Sequence, residues 1–420
     1  MQVSHQQLQI QYVLDFFIEP CILAVAFFLP LSLGVATGFL GLGVGCWLGK
    51  MLVVRRWYFR RTPYDWLIAL LILFSASSIL VAPDRWLSFY NYYNLMGRYI
   101  LLYYLVVNNI HSMDQMKRLV WALLMSAVVV TLYGFYQYVH GVDVSMAEWV
   151  DGGQFPELKT RVFSTLENPN LLAGFLMVNM AIASGLALHT RQSKFKLFFV
   201  AFIAMLGVCL VLTYSRGVWL SILAVIILYG ILYSRKVFWL LLIVPLALVL
   251  AQDSLMDRIL SIANPTDTSS TLRLALWEST IAMIMDHPFL GIGWGAYLFV
   301  YPEYDFFLQD AGTKIFHAHN MYLNIAAEIG VPGLIVFLSL MVGHIRKALR
   351  VVQGSNRWAA GVMLGTATAL LGLAVSGFTD YILFNIQLSM LFWLLNACII
   401  CVSQNTCSEQ NLLFPGKIVK

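Results

Sequence analysis

Of 420 residues, 60% are hydrophobic and only 11% are charged, and the mean hydropathy is +0.77. A soluble domain carries roughly 25% charged residues, so this composition excludes an ordinary soluble enzyme and points to a polytopic membrane protein. The formal net charge of +5 says less than where the charges sit.

A spanning helix needs about 20 mostly apolar residues. About twelve are predicted, at residues 16–36, 38–54, 65–82, 94–110, 119–138, 169–188, 197–214, 217–233, 237–252, 321–343, 359–378 and 382–402. The fold expected is an all-α transmembrane bundle forming one membrane domain over residues 1–420. No Lys or Arg precedes the first apolar run and no small-residue cleavage site follows it, so that run reads as a retained helix. Gly-rich stretches blur the turn between the first two spans. Two connections are long: residues 139–168, and residues 253–320 between the ninth and tenth spans. The second contains TLRLALWESTIAMIMDHP, with Leu274, Trp277, Ile281 and Ile284 on one helical face. It predicts an amphipathic helix lying on the membrane or capping the bundle.

Basic residues orient the bundle. Loops after even-numbered spans, the termini and their flanks carry 18 of the 26 Lys and Arg, including Arg55, Arg56, Arg60, Arg61, Arg346, Lys347 and Arg350. This excess predicts cytoplasmic termini and makes the two long loops extracytoplasmic. None of the six cysteines lies in those loops, so no disulfide is expected; the Cys398/Cys401 pair reads as small buried apolar side chains.

The eight remaining basic residues are Arg85, Arg98, Lys159, Arg161, Arg216, Arg258, Arg273 and Lys314. Arg216 occupies a tight turn between two apolar helices. Arg161 precedes a helix start marked by Asn168-Pro169-Asn170, and Arg273 opens the amphipathic helix. An arginine stays charged and can clamp a phosphate with two prongs. Interfacial snorkelling or a structural ion pair is the plainer reading for any one of them, and for Arg98, placed near a helix end, above all.

The tenth span is preceded by His317 and His319. Counting about 30 Å back from the basic cluster at Arg346 places its start near residue 321 and leaves Gly330, Pro332 and Gly333 inside the membrane. Pro332 frees the carbonyl of Glu328 and predicts a kink. His319 then lies at the outer rim as a candidate general base, with His317 a weaker one. The HxH spacing also suits half a metal site, but no third ligand is evident in the sequence and no metal is expected. Asp380, on the turn between the last two spans, has no assigned role.

His319-Asn320, nine residues, then Gly330-x-x-Gly333 resembles the His-(Asn/Ser/Gln)-x9-Gly-x-x-Gly signature of bacterial O-antigen ligases, and Arg216-x-x-x-Leu220 resembles that family's Arg-x3-Leu motif. The Asn168-Pro169-Asn170 helix start and the run from Arg273 to Gly295 add to the likeness. The resemblance implies a membrane glycosyltransferase that moves a glycan from an undecaprenyl diphosphate carrier to a hydroxyl of lipid A–core, at the outer face of the plasma (inner) membrane, with no cofactor or metal. By motif, His319 would be the base and Arg216 a diphosphate-binding catalytic residue, joined by Arg161 and Arg273. His317, Asn320, Glu328 and Asn170 are secondary candidates. The superfamily also includes O-antigen polymerases and protein O-oligosaccharyltransferases, and Leu334-Ile335 replaces the small hydroxyl residues of many ligases, which leaves the acceptor open. A secondary transporter is the alternative from another class. Partners implied are the lipid-linked donor, a lipid or glycolipid acceptor and membrane lipids, with no nucleic acid.

Overall fold

The computed structural model describes residues 5–55, 57, 59–141, 161–232, 235, 238, 268–305 and 315–413. Among them all regular structure is helical: α1 (His5–Phe28), α2 (Leu33–Val54), α3 (Asp65–Ser78), α4 (Arg85–Asn109), α5 (Met113–His140), α6 (Pro169–His189), α7 (Ser193–Val211), α8 (Arg216–Leu232), α9 (Thr268–Asp286), α10 (Met321–Val352), α11 (Arg357–Ser376) and α12 (Ile386–Leu413). Among the described residues, eight helices are long and apolar enough to cross a membrane: α1, α2, α5, α6, α7, α10, α11 and α12. α3 and α8 are shorter apolar helices. The expected span at 237–252 lies outside the described residues.

Helix ends follow local chemistry more closely than glycine content. The first helix stops at Phe28, not near residue 36, because Pro30 lies in the turn and Ser32 caps α2 by accepting from Val35 N. The glycines that blurred this turn are inside α2. Arg98 is corrected too: α4 begins at Arg85, so Arg98 sits in mid-helix, about 20 Å along from its first residue at 1.5 Å per residue.

α6, α11 and α12 are the most enclosed of the spanning helices. α6 and α11 touch backbone to backbone: a Cβ on Gly185 would collide with Gly361 O and Gly365 N. Without a hydrophobic drive between helices in lipid, such close approach lets dispersion and backbone contacts hold them together. One end of the bundle is basic and laced by ion pairs, Lys50 to Asp15 and Arg118 to Glu19. The opposite end carries the connections between α5 and α6, α7 and α8, α10 and its preceding segment, and α11 and α12. Thr165 Oγ1 donates to Pro30 O there at 2.6 Å, tying the α5–α6 connection to the α1–α2 turn.

α10 is broken as well as long. Gly330 has φ 76° and ψ 166°, separating Met321–Ile329 from Val331–Val352. The second piece has 22 residues, about 33 Å at 1.5 Å per residue, enough to cross a hydrocarbon core of about 30 Å by itself. The basic residues Arg346, Lys347 and Arg350 lie within this helix and do not mark its end. The break leaves Val331–Val352 as a continuous helix with Arg346, Lys347 and Arg350 toward its far end. The expected release of the Glu328 carbonyl is seen: it accepts from Gly293 N at 3.2 Å, while Ala327 O accepts from Ile292 N at 2.8 Å and Pro288 O accepts from Val331 N at 2.9 Å. The Gly-rich segment after α9 is thus zipped onto the broken helix.

Candidate active site

α6 and α11 bring two short connections face to face. Asn168 caps α6, its side chain accepting from Asn170 N (2.8 Å) and Leu171 N (3.4 Å), which fixes the backbone of Asn170. α11 ends at Ser376; Asp380 N donates back to Ser376 O at 3.0 Å, and Gly377 O receives Met321 N at 2.8 Å. Asn320 caps α10, accepting from Tyr322 N (3.0 Å) and Leu323 N (3.1 Å), and donates to Phe378 O at 3.2 Å. Asn320 is therefore a clamp between helix start and loop, and it leaves His319 in the left-handed region at φ 48°.

His319 Nδ1 lies 3.1 Å from Asp380 Oδ1. Asp380 Oδ2 accepts from Asn170 Nδ2 at 2.8 Å, and Asp380 Oδ1 also accepts from Tyr381 N at 2.8 Å. Asn170 Oδ1 in turn accepts from Arg161 Nη2 at 3.4 Å, and Arg161 Nε donates to Thr213 O at 3.0 Å. An unbroken polar chain thus runs from Arg161 through Asn170 and Asp380 to His319. Arg216 begins α8 beside it: a Cβ on the next residue, Gly217, would lie 2.5 Å from Thr379 Oγ1. Arg273, on α9, is close enough for its charge to act on Asp380.

Burial alone would raise the Asp380 carboxyl, but the hydrogen bond and charge of His319, then the charges of His317 and Arg273, outweigh it and hold the group well below the usual carboxylate range. Burial, then repulsion from His319, pushes His317 down to about 3, so that ring stays neutral at working pH. An ionised Asp380 suits the His319 tautomer that donates from Nδ1, in which Nε2 would carry the lone pair. The His319 side chain is 35% exposed, so an incoming group can reach it.

Besides His319, the left-handed non-glycine residues Ser164, Glu167 and Tyr214 flank Arg161 and Arg216. Strained backbone of this kind persists where surroundings over-determine it, and it gathers at binding and reaction sites.

The third ligand that the HxH pair lacks in sequence is supplied by Asp380: His317, His319 and Asp380 offer donor atoms within 4.8 Å of one another. Within this group His317 Nδ1 accepts from His319 N at 3.2 Å, and Asp380 is bonded by His319, Asn170 and Tyr381.

Of the sequence candidates, the structure joins His319, His317, Asn170, Asn320 and Arg161 in one hydrogen-bonded neighbourhood, with Arg216 and Arg273 at its edge. Glu328 is buried at the α10 break beside Gly295 and Tyr297, close enough for its charge to act on Tyr381. On α9, Leu276, Ser279, Thr280 and Met283 are buried, whereas Leu274 and Ile281 of the expected apolar face are exposed, as a face lying against lipid would be. Thr280 tolerates burial because its hydroxyl bonds Leu276 O at 2.5 Å and Tyr297 Oη at 2.8 Å. Asp380 is the residue that the sequence left without a role; its position on the same rim as His319 was the only signal.

Among the described residues, an all-helical bundle with apolar membrane-length helices carries a histidine–aspartate pair with arginines nearby at one end, the architecture of a multi-pass membrane protein. Residues 197–338, about a third of the chain, match the family model described as O-antigen ligase, and this supports the O-antigen ligase/polymerase superfamily. That family implies a membrane glycosyltransferase-like enzyme acting on lipid-linked glycans. The matched stretch includes Arg216, Arg273, His317 and His319 and ends before Asp380. No curated protein of similar sequence was found.

Proposed function

We propose that this protein transfers a glycan from an undecaprenyl diphosphate carrier to an acceptor hydroxyl, as an O-antigen ligase, at the outer face of the plasma membrane. The observation that carries this reading is the convergence of the His319–Asp380 pair with Arg161, Arg216 and Arg273. His319 Nε2 takes the proton from the acceptor hydroxyl as its oxygen attacks the anomeric carbon. The bond from that carbon to the diphosphate oxygen breaks, and the carrier leaves as a diphosphate anion. The three arginines stabilise the charge that grows on it, so no proton donor or metal is required for departure. A single displacement inverts the anomeric centre. The 18-to-8 division of basic residues supports cytoplasmic termini and an extracytoplasmic His319.

The test uses membranes containing full-length protein, a lipid-linked glycan donor and the acceptor. His319→Ala is expected to abolish transfer while the protein still folds and inserts; full activity in that variant would remove the general-base reading. The superfamily favours one second reading, chain extension on the carrier. Purified protein given lipid-linked repeat units alone distinguishes the two, since polymer growth without added acceptor marks a polymerase.

A further inference from the structure

The polar chain across the site contains one residue whose side chain touches both halves of the proposed chemistry. Asn170 donates through Nδ2 to Asp380 Oδ2 at 2.8 Å, on the side of the base. Its Oδ1 accepts from Arg161 Nη2 at 3.4 Å, on the side of the diphosphate. The helix start does not need this side chain, because the cap is supplied by Asn168. Asn170 is thus placed by a cap it does not make, and its amide is held for other partners.

An amide is suited to this place. Asp380 has two oxygens. One is taken by His319 Nδ1 and Tyr381 N, and a donor on the other stops the carboxylate from rotating away from the imidazole. Arg161 needs an acceptor that does not neutralise it. A carboxylate there would pair with the guanidinium and compete with a phosphate; the carbonyl end of an amide orients it and leaves its charge available. An amide presents a donor to a carboxylate and an acceptor to a guanidinium at once, from two separate atoms.

We infer that Asn170 is a positioning residue that locks Asp380 onto His319 and ties the general base to the arginine holding the donor diphosphate. The inference rests on the glycosyl-transfer reading above. The charged and titratable groups facing this point are His317 and His319 from the segment before α10, Asp380 from the α11–α12 turn, Arg161 before α6, Arg216 on α8 and Arg273 on α9.

Full-length Asn170→Ala and Asn170→Asp variants are compared with wild type for kcat, donor KM and the pH profile of kcat/KM, using a polyprenyl-diphosphate-linked glycan. Asn170→Ala is expected to lower kcat about tenfold to a hundredfold, as for loss of one hydrogen bond to a charged group. Asn170→Asp is expected to raise donor KM several-fold, because the new carboxylate pairs with Arg161. It is also expected to move the acidic limb up by about one pH unit, because a second negative charge beside Asp380 favours the protonated imidazole. Wild-type kinetics in both variants, or a uniform loss of activity with the limb unmoved in Asn170→Asp, overturns the inference. His319→Ala separates the two levels: inactivity there with wild-type behaviour at Asn170 leaves the transfer reading standing and removes this one.

Discussion

At the scale of single residues, the site is a problem of holding one imidazole in the right tautomer. His317 and His319 are two residues apart, yet their surroundings divide them. Burial keeps His317 neutral, and its Nδ1 is spent on the His319 backbone. His319 receives the carboxylate. The sign of the pH dependence follows. The lowered pKa of Asp380 means that its stabilising contribution is complete above the ordinary carboxylate range and is lost only as pH falls through the lower folded value. Neither Asp380 nor His317 therefore titrates near neutrality. Asp380→Asn should cut kcat by about two orders of magnitude or more, because the amide can present its N–H to Nδ1 and leave the proton on the wrong nitrogen. Steady-state transfer assays across pH check this, and wild-type kcat in Asp380→Asn would contradict the dyad. His319 and its arginines were legible from residue type and spacing. Asp380 was not, because it lies 61 residues from His319 and nothing local marks it.

At the scale of elements, the break in α10 explains the paired glycines of the Gly-x-x-Gly signature. Gly330 adopts a backbone conformation that side chains disfavour, and a Cβ there would collide with Phe289 O, a backbone atom that cannot swing aside. Gly333 is helical, and a Cβ on it would meet the Ile329 side chain at 2.6 Å, which can shift. The two positions should therefore respond unequally. Gly330→Ala is expected to lower stability by about 1–3 kcal/mol or more and to abolish transfer, whereas Gly333→Ala should cost less. Thermal melting of the two variants in detergent measures the order, and equal or reversed losses would show that the Gly-rich segment is not docked as described. The kink itself was readable from Pro332. Its partner was not, because a freed carbonyl does not say which N–H will find it.

At the scale of the whole molecule, the enclosed helices α6 and α11 set the distance between Asn170 and Asp380. Their backbone contact through Gly185, Gly361 and Gly365 is remote from the reacting groups, yet it fixes where both helices emerge. Gly185→Leu should force the pair apart and reduce transfer at least tenfold even in protein that still inserts, because a misplacement of about 1 Å at a reaction site costs about that much or more. Membrane assays normalised to inserted protein test this, and full activity would show that the site does not depend on that contact. The sequence by itself determined that the chain is a membrane bundle, and it placed the arginines and His319 at helix ends on one side. Apolar run length, caps and the bias of basic residues are local or additive properties, and they survive without knowing who packs on whom. Only the tertiary structure decided that α9 buries its Ser279–Thr280 face, and that Asp380 and Asn170 meet His319 and Arg161. Those outcomes depend on backbone-to-backbone contact between helices far apart in the chain, and pairing at that range has no period or spacing for a sequence to display.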